Sequence, residues 1–169
     1  MDFSAEFVAL RDRMVQGLDK AFVTTQNTEV AGRVAASLSR FDAISHKKLL
    51  GLVSLNTSSH AHEYRLLFAA PELDEAALED WWEYAKRAEQ ALVQPDAAHD
   101  FSILSLILVT QQAGRDVQKK MRRLSAEHQF EGGKHGWSSV HFAVVDLGAH
   151  KVYTNRMGAP LKNILQPIL

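Results

Sequence analysis

Apolar residues recur every three or four positions over the first 22 residues, which is the spacing of one face of an α-helix. The series consists of Phe3, Phe7, Leu10, Met14, Leu18 and Phe22. It predicts an N-terminal helix of about five turns. Residues 28–41 follow, with Val30, Val34 and Leu38 among them. Their spacing favours a second helix, although the same apolar positions also fit a β-strand.

Short apolar runs bounded by turn-forming residues predict strands in the middle of the chain. Residues 47–56 and 62–71 flank the polar segment 57–61, and together they predict a β-hairpin. Residues 74–93 begin with acidic residues, continue with strong helix formers and carry their basic residues later. This order predicts a capped helix that starts at Asp74, because acidic groups are favoured near a helix N-terminus.

Residues 101–110 are apolar on both faces of an extended chain, which predicts a central strand covered on both sides. Residues 115–130 predict a further helix, and residues 137–155 predict two strands joined by a turn at Gly148. The two strand–helix–strand passages favour parallel, right-handed crossovers. We therefore predict a single α+β domain over residues 1–169. It has an N-terminal helical segment and a mixed sheet of about five strands with helices on both faces.

Charge and composition narrow the classes of function. The chain has 19 Lys and Arg against 20 Asp and Glu, for a net charge of -1 at pH 7. This balance gives no general attraction to nucleic acid or to an anionic membrane, so neither is an expected partner. The absence of cysteine excludes disulfides, thiolate catalysis and cysteine zinc sites. Charges interrupt the first apolar series, which predicts neither a signal peptide nor a membrane span but a soluble, cytoplasmic protein.

Residues 130–137, FEGGKHGW, are the most motif-like stretch of the sequence. A phosphate-binding loop follows a strand and precedes a helix, because the anion rests on the free N–H groups of that helix. Here the order is reversed, since the stretch follows a predicted helix and precedes a predicted strand. We therefore interpret the glycines as a connector, with Lys134 and His135 as candidate contacts to a ligand.

A ligand site is predicted at the carboxyl ends of the parallel strands, where loops and helix N-termini converge in open αβ sheets. Asp146 stands directly at the end of an apolar strand. The polar residues predicted to lie opposite it are Thr110, Gln111, Gln112 and Arg115. Together these side chains are suited to a small polar ligand. The alternative is that Asp146 caps the following turn by accepting hydrogen bonds from backbone N–H groups.

The leading functional hypothesis is a non-catalytic binding or accessory protein that acts as a homodimer or with a protein partner. The GxSxG, HExxH, Walker and GxGxxG motifs of common enzymes are missing from the sequence. A broad apolar stripe on the predicted helix 74–93, which includes Trp81 or Trp82, could face a second subunit. No motif indicates a cofactor.

The alternative hypothesis is a small metal-dependent hydrolase that acts on a phosphoester. His60 and His62 are two residues apart in a predicted strand, so their side chains point to the same side and could share a metal ion. Lys134 and His135 would complete such a site. A metal needs at least one further ligand, which would have to be His99, His135, His141, His150 or a carboxylate. A chain with eight histidines can also carry such a pair at the solvated end of a hairpin.

Overall fold

The computed structural model describes residues 2–46 and 58–169. Within these residues the chain forms four α-helices, nine β-strands and two short 3₁₀ turns. The helices are α1 (Phe3–Gln16), α2 (Glu75–Leu92), α3 (Arg115–Met121) and α4 (Ala159–Leu165). The strands are β1 (Val23–Val30), β2 (Arg33–His46), β3 (Ser58–Ala69), β4 (Glu72–Leu73), β5 (His99–Thr110), β6 (Gln112–Ala113), β7 (Glu127–Gln129), β8 (Trp137–Asp146) and β9 (Lys151–Thr154). The 3₁₀ turns are Glu131–Gly133 and Gln166–Ile168.

Seven of the strands form one mixed sheet. Strands β1, β2 and β3 are antiparallel neighbours, and β3, β5 and β8 follow as parallel neighbours. Strands β7 and β9 both pair antiparallel with β8, the first with its beginning and the second with its end. Strands β4 and β6 form a separate small parallel pair. The predicted mixed sheet and its parallel crossovers are confirmed, with seven strands instead of about five.

Helices cover both faces of the sheet, as predicted. On one face, α2 and α3 contribute Leu78, Trp82 and Val117 to the larger apolar core. On the other face, α1 and α4 contribute Leu10 and Leu161 to a second core. Strand β5 lies between the two cores, and each of its buried leucines contributes about 2 kcal/mol to stability. The leucines predicted to be buried, and found fully buried, are Leu104, Leu106 and Leu108.

Residues 28–41 belong to a β-hairpin, so the favoured second helix is wrong and the strand alternative is correct. The turn between β1 and β2 consists of Ala31 and Gly32, whose φ angles are 49° and 87°. Two successive positive φ values match the twist of a tight hairpin and end any helix at this point. Val30 and Val34, which the helical spacing placed together, therefore lie on different strands.

Two other helices are shorter than the segments that the apolar spacing predicted to be helical. Helix α1 ends before Gly17, which is its C-cap and a poor helix former. Phe22, the last member of the predicted series, instead packs against Phe41 of β2 with 5.4 Å between ring centroids. Helix α3 ends at Met121, and the second half of the predicted helix 115–130 contains β7, whose backbone pairs with β8.

Of the hairpin predicted around residues 57–61, the structure describes only the second arm, and this arm pairs with other strands. Its second arm is part of β3, which pairs with β2 and β5. Its first arm, residues 47–56, lies outside the described residues. The sequence did not predict α4, which packs Leu161 and Leu165 into the second core. The pair of strands around Gly148 is confirmed as β8 and β9.

Candidate functional site

A row of polar side chains crosses five strands near the amino-terminal ends of the parallel strands. In register across the sheet, the row consists of Asp42 on β2, His62 on β3, Ser102 on β5, Ser138 on β8 and His128 on β7. Register neighbours on adjacent strands point to the same face of a sheet. That face is the one covered by α2, because Ser138 Oγ donates a hydrogen bond to Glu89 of that helix. We call these five residues the polar row.

Asp42 and His62 form the closest pair of the polar row, with 2.5 Å between Oδ1 and Nδ1. Arg40 Nε lies 3.0 and 2.8 Å from the two carboxylate oxygens of Asp42. Burial raises the pKa of Asp42, but the hydrogen bonds from His62 and Arg40 outweigh burial, and the pKa lies below its usual value. Asp42 is therefore a carboxylate at neutral pH. It orients the His62 ring and leaves Nε2 as the nitrogen available to a bound molecule.

A cleft of about 330 Å³ opens beside this pair, at the end of α2. Its lining includes Arg40, His60, His62, Tyr64, Gln94 and Asp96. We call it the histidine cleft. His60 and His62 both line this cleft, and their ring centroids are 6.4 Å apart. Among residues 2–46 and 58–169, no group of three His, Cys, Asp or Glu side chains is placed to hold a metal ion.

His99 connects the histidine cleft to the glycine-rich loop. It is buried, and its Nδ1 lies 2.6 Å from the backbone oxygen of His135. Nδ1 carries the proton, because a carbonyl oxygen only accepts, and Nε2 forms a hydrogen bond of 2.8 Å with the Ser102 hydroxyl. The ring also stacks on His62 at 6.2 Å between centroids. Ser102 is fully buried, so its pairing with His99 supports the structure and is closed to a substrate.

The loop at residues 130–137 is a connector, as predicted, but it follows the strand β7 and not the predicted helix, and it leads into β8. The Phe130 N–H donates to the Gly136 oxygen over 3.0 Å and closes the loop. Gly132 and Gly136 both have positive φ angles, which other residues adopt only with strain. The Lys134 side chain is exposed, and His135 contributes its backbone carbonyl to the site.

A second cleft lies at the other end of the sheet, at the carboxyl ends of β5 and β8. It has a volume of about 630 Å³, and we call it the rim cleft. Its polar lining consists of Gln111, Gln112, Arg115, Gln118, Asp146 and Tyr153. The structure therefore brings most of the predicted ligand-binding residues together. Thr110 differs, because it is buried and its hydroxyl donates to the Pro71 oxygen over 3.2 Å.

Asp146 accepts hydrogen bonds from the backbone around the rim cleft. Its Oδ2 accepts from the Ala113 N–H and its Oδ1 from the Ala149 N–H, each over 2.9 Å. Only 1% of the residue is exposed, so the carboxylate caps the turn after β8 and holds β6 beside it. Burial, followed by the charge of Asp146, raises the pKa of Tyr153, which keeps that hydroxyl protonated as a donor.

Residues 8–167 match the family model described as Domain of unknown function (DUF8052). The chain belongs to this family. The matched part of this DUF8052 member contains the polar row and both clefts. No curated protein and no solved structure matches the chain. None of the helices within residues 2–46 and 58–169 has the length and apolar character needed to cross a membrane.

The site residue that the sequence of this DUF8052 member did not indicate is Asp42, whereas His99 was one of several candidates for a third ligand beside His60 and His62. The spacing of His60 and His62 is visible within one strand, because alternate side chains share a face. The pairing of Asp42 with His62 depends instead on the register between β2 and β3. Register is set by tertiary packing, so no local signal in the sequence places Asp42 or His99 beside His62.

Proposed function

We propose that the protein is a non-catalytic binding protein that holds a small polar ligand in the rim cleft. The supporting observation is the state of Asp146, the one acidic side chain among the described residues that line this cleft. Each of its oxygens accepts from a backbone N–H group and only 1% of the residue is exposed, which argues against a role as an acid or a base. The cleft volume of about 630 Å³ lies within the range of sites for small molecules.

The lining favours a ligand that carries a carboxylate or phosphate group. Arg115 is exposed and forms no ion pair with any described residue, so its guanidinium is available to an anion. Gln111 and Gln112 are also exposed and supply amide donors and acceptors beside it. The protonated Tyr153 hydroxyl adds a further donor.

Arg115→Ala should weaken the binding of such a ligand about tenfold or more, because a hydrogen bond to a charged group contributes about 1.5–3 kcal/mol. The ligand class can be found by thermal-shift screening of small carboxylates and phosphates, followed by calorimetry on the compounds that bind. Arg122→Ala is the matched control, since Arg122 is exposed at the end of the same helix and does not line the cleft. The proposal fails if no compound binds, or if binding persists at full strength in Arg115→Ala.

The homodimer remains a proposal, and the packing of α2 supports it less than the apolar pattern did. The apolar stripe of α2 that motivated it packs largely against the sheet, where Trp82 and Tyr84 are buried. Trp81 is partly buried and contacts Phe68, with 4.9 Å between ring centroids. Sedimentation equilibrium at micromolar concentration tests the dimer, and a monomer under those conditions rejects it.

A second candidate function, hydrolysis of a phosphoester, is supported by the hydrogen bond between Asp42 and His62 in the histidine cleft. The water oxygen would bond to phosphorus as the bond to the ester oxygen breaks, while His62 Nε2 accepts a proton from the water and the Asp42 carboxylate stabilises the imidazolium. The imidazolium would then return the proton to the leaving oxygen. Arg40 and His60 would bind the phosphoryl oxygens. A metal bound by His60 and His62 belongs to this proposal only if a further ligand joins them.

His62→Ala should lower any phosphoesterase activity about 100-fold, the usual contribution of a general base. The assay uses bis(4-nitrophenyl) phosphate, with and without added zinc or manganese. His150→Asn is the control, because His150 is exposed on the turn after β8 and asparagine tolerates its positive φ angle. Activity that survives in His62→Ala, or absence of activity in the unaltered protein under all metal conditions, contradicts this candidate.

A further inference from the structure

A third cleft lies on the opposite side of the end of α2, between that helix and strands β7 and β8. It has a volume of about 290 Å³. Its lining includes Glu89, Val93, Pro95, His128, Phe130 and Ser138. We call it the Glu89 cleft. It shares none of these residues with the rim cleft or the histidine cleft.

Glu89 is an unusual residue for the inner wall of a cleft, because only 2% of it is exposed. Its Oε1 accepts a hydrogen bond of 2.6 Å from Ser138 Oγ. Its Oε2 has no hydrogen-bond partner among the described residues. His128 Nδ1 lies 3.1 Å from Oε2, but without the alignment of a hydrogen bond. A buried carboxylate oxygen without an aligned donor costs stability, so Oε2 is suited to accept from a donor that enters the cleft beside His128.

The remaining lining residues indicate the chemical class of that donor. Val93, Pro95 and Phe130 present carbon surface to the cleft. The Phe130 ring can also stack on an aromatic group or lie beside a cation. Apolar walls around one negative charge are complementary to an organic cation with a carbon body. An anion is excluded because it would meet the charge of Glu89 at close range.

We propose that the Glu89 cleft binds the ammonium group of a small primary amine, with Glu89 as its counter-ion. The ammonium donates to Oε2, and the alkyl or aryl body lies against Val93 and Phe130. His128, which is exposed at the outer side, borders the entrance. This site is independent of the proposed function, because its ligand is a cation and its residues lie at the opposite end of the sheet from the rim cleft.

The same ammonium chemistry has two sources, a free amine and the side chain of a lysine in a peptide. We propose the free amine, because a volume of about 290 Å³ is at the lower end of the range for ligand sites. Phenethylamine is the probe for a free amine. A lysine peptide with acetylated and amidated ends is the second probe. Tighter binding of the peptide than of phenethylamine would assign the site to a protein partner and overturn this choice.

The decisive experiment is a calorimetric titration of the full chain with phenethylamine and with its neutral counterpart, 2-phenylethanol. The amine should bind about tenfold more tightly than the alcohol, because its bond to Glu89 is charge-assisted. Glu89→Gln should reduce amine affinity about tenfold, since glutamine can still accept from Ser138 but carries no charge. Glu83→Gln is the matched control on the exposed side of the same helix, and it should bind the amine like the unaltered protein.

Three results would overturn the proposal: no saturable amine binding up to about 10 mM, equal affinity for amine and alcohol, or full affinity in Glu89→Gln. If Glu89→Gln does not fold, as judged by circular dichroism, Phe130→Ala takes its place. That change removes one wall and leaves the carboxylate, so the affinity for phenethylamine should fall severalfold while that for methylamine is retained. An unchanged affinity for phenethylamine in Phe130→Ala also rejects the site.

Discussion

Asp146→Ala should lower the free energy of unfolding by about 3 kcal/mol or more, because it leaves two backbone N–H groups without their acceptor. The two groups belong to Ala113, which is buried, and to Ala149 in the turn after β8. A carboxylate that accepts two such bonds ties β6 and this turn to the end of β8. We expect urea denaturation to show the loss as a lower midpoint with an unchanged slope.

Asp146→Asn separates the two hydrogen bonds. Asparagine keeps one acceptor oxygen but turns an NH₂ group toward the other N–H, so about half of the loss should remain. Asp100→Ala is the control, because Asp100 is exposed and its removal should change stability by at most about 0.5 kcal/mol. If Asp146→Ala is as stable as Asp100→Ala, the carboxylate does not hold this end of the sheet, and the argument for a non-catalytic rim cleft loses its basis.

The central elements of the fold could be predicted because their signals are local and strong. The strand at 101–110 is apolar on both sides, and burial on both faces of a sheet is the arrangement that satisfies this pattern. The helix after Asp74 carries its own start signal, since the Asp74 carboxylate accepts from the Ala77 N–H over 2.7 Å. The position of Asp146 at the rim could be predicted because it directly follows an apolar strand. Its role as a turn cap was the alternative interpretation of the same position.

The β1–β2 hairpin had a weaker signal in the sequence than these central elements. Val30, Val34 and Leu38 are four residues apart, which fits a helix as well as alternate positions of a strand. The turn that decides between them consists of Ala31 and Gly32. Ala31 has a positive φ angle of 49°, a conformation in which alanine is rare, so the dipeptide is a weak turn signal compared with Asn-Gly or Asp-Gly.

The polar row could not be predicted from the sequence for a different reason. Its five members come from five strands, and about half of the chain separates Asp42 from His128. Each member has an ordinary local setting, and only the register between strands brings them into line. The one part of the row that spacing could indicate was His62, through its neighbour His60 on the same strand. The topology of the sheet therefore creates the polar row, and only the structure reveals it.

Gly136→Ala should be the most damaging single change in the glycine-rich loop, with a loss of about 3 kcal/mol or more in the free energy of unfolding. A Cβ at this position would lie 2.0 Å from the backbone oxygen of Asp100 and 2.6 Å from its carbonyl carbon. The φ angle of 73° adds strain of about 1 kcal/mol for any residue other than glycine. Because Asp100 belongs to β5, its backbone cannot move aside without disturbing the centre of the sheet.

Gly132→Ala is the control within the same loop, because it introduces the backbone strain without the steric contact. Gly132 has a φ angle of 60°, but no described atom lies within 4 Å of a Cβ at that position, so only the strain of about 1 kcal/mol is expected. Equal losses in the two variants, measured by urea denaturation, would contradict the close contact with Asp100. A larger loss in Gly136→Ala would show that the loop is pressed against the start of β5. There it holds the His135 carbonyl on His99, so the glycines support the polar row by allowing this approach and not by binding phosphate.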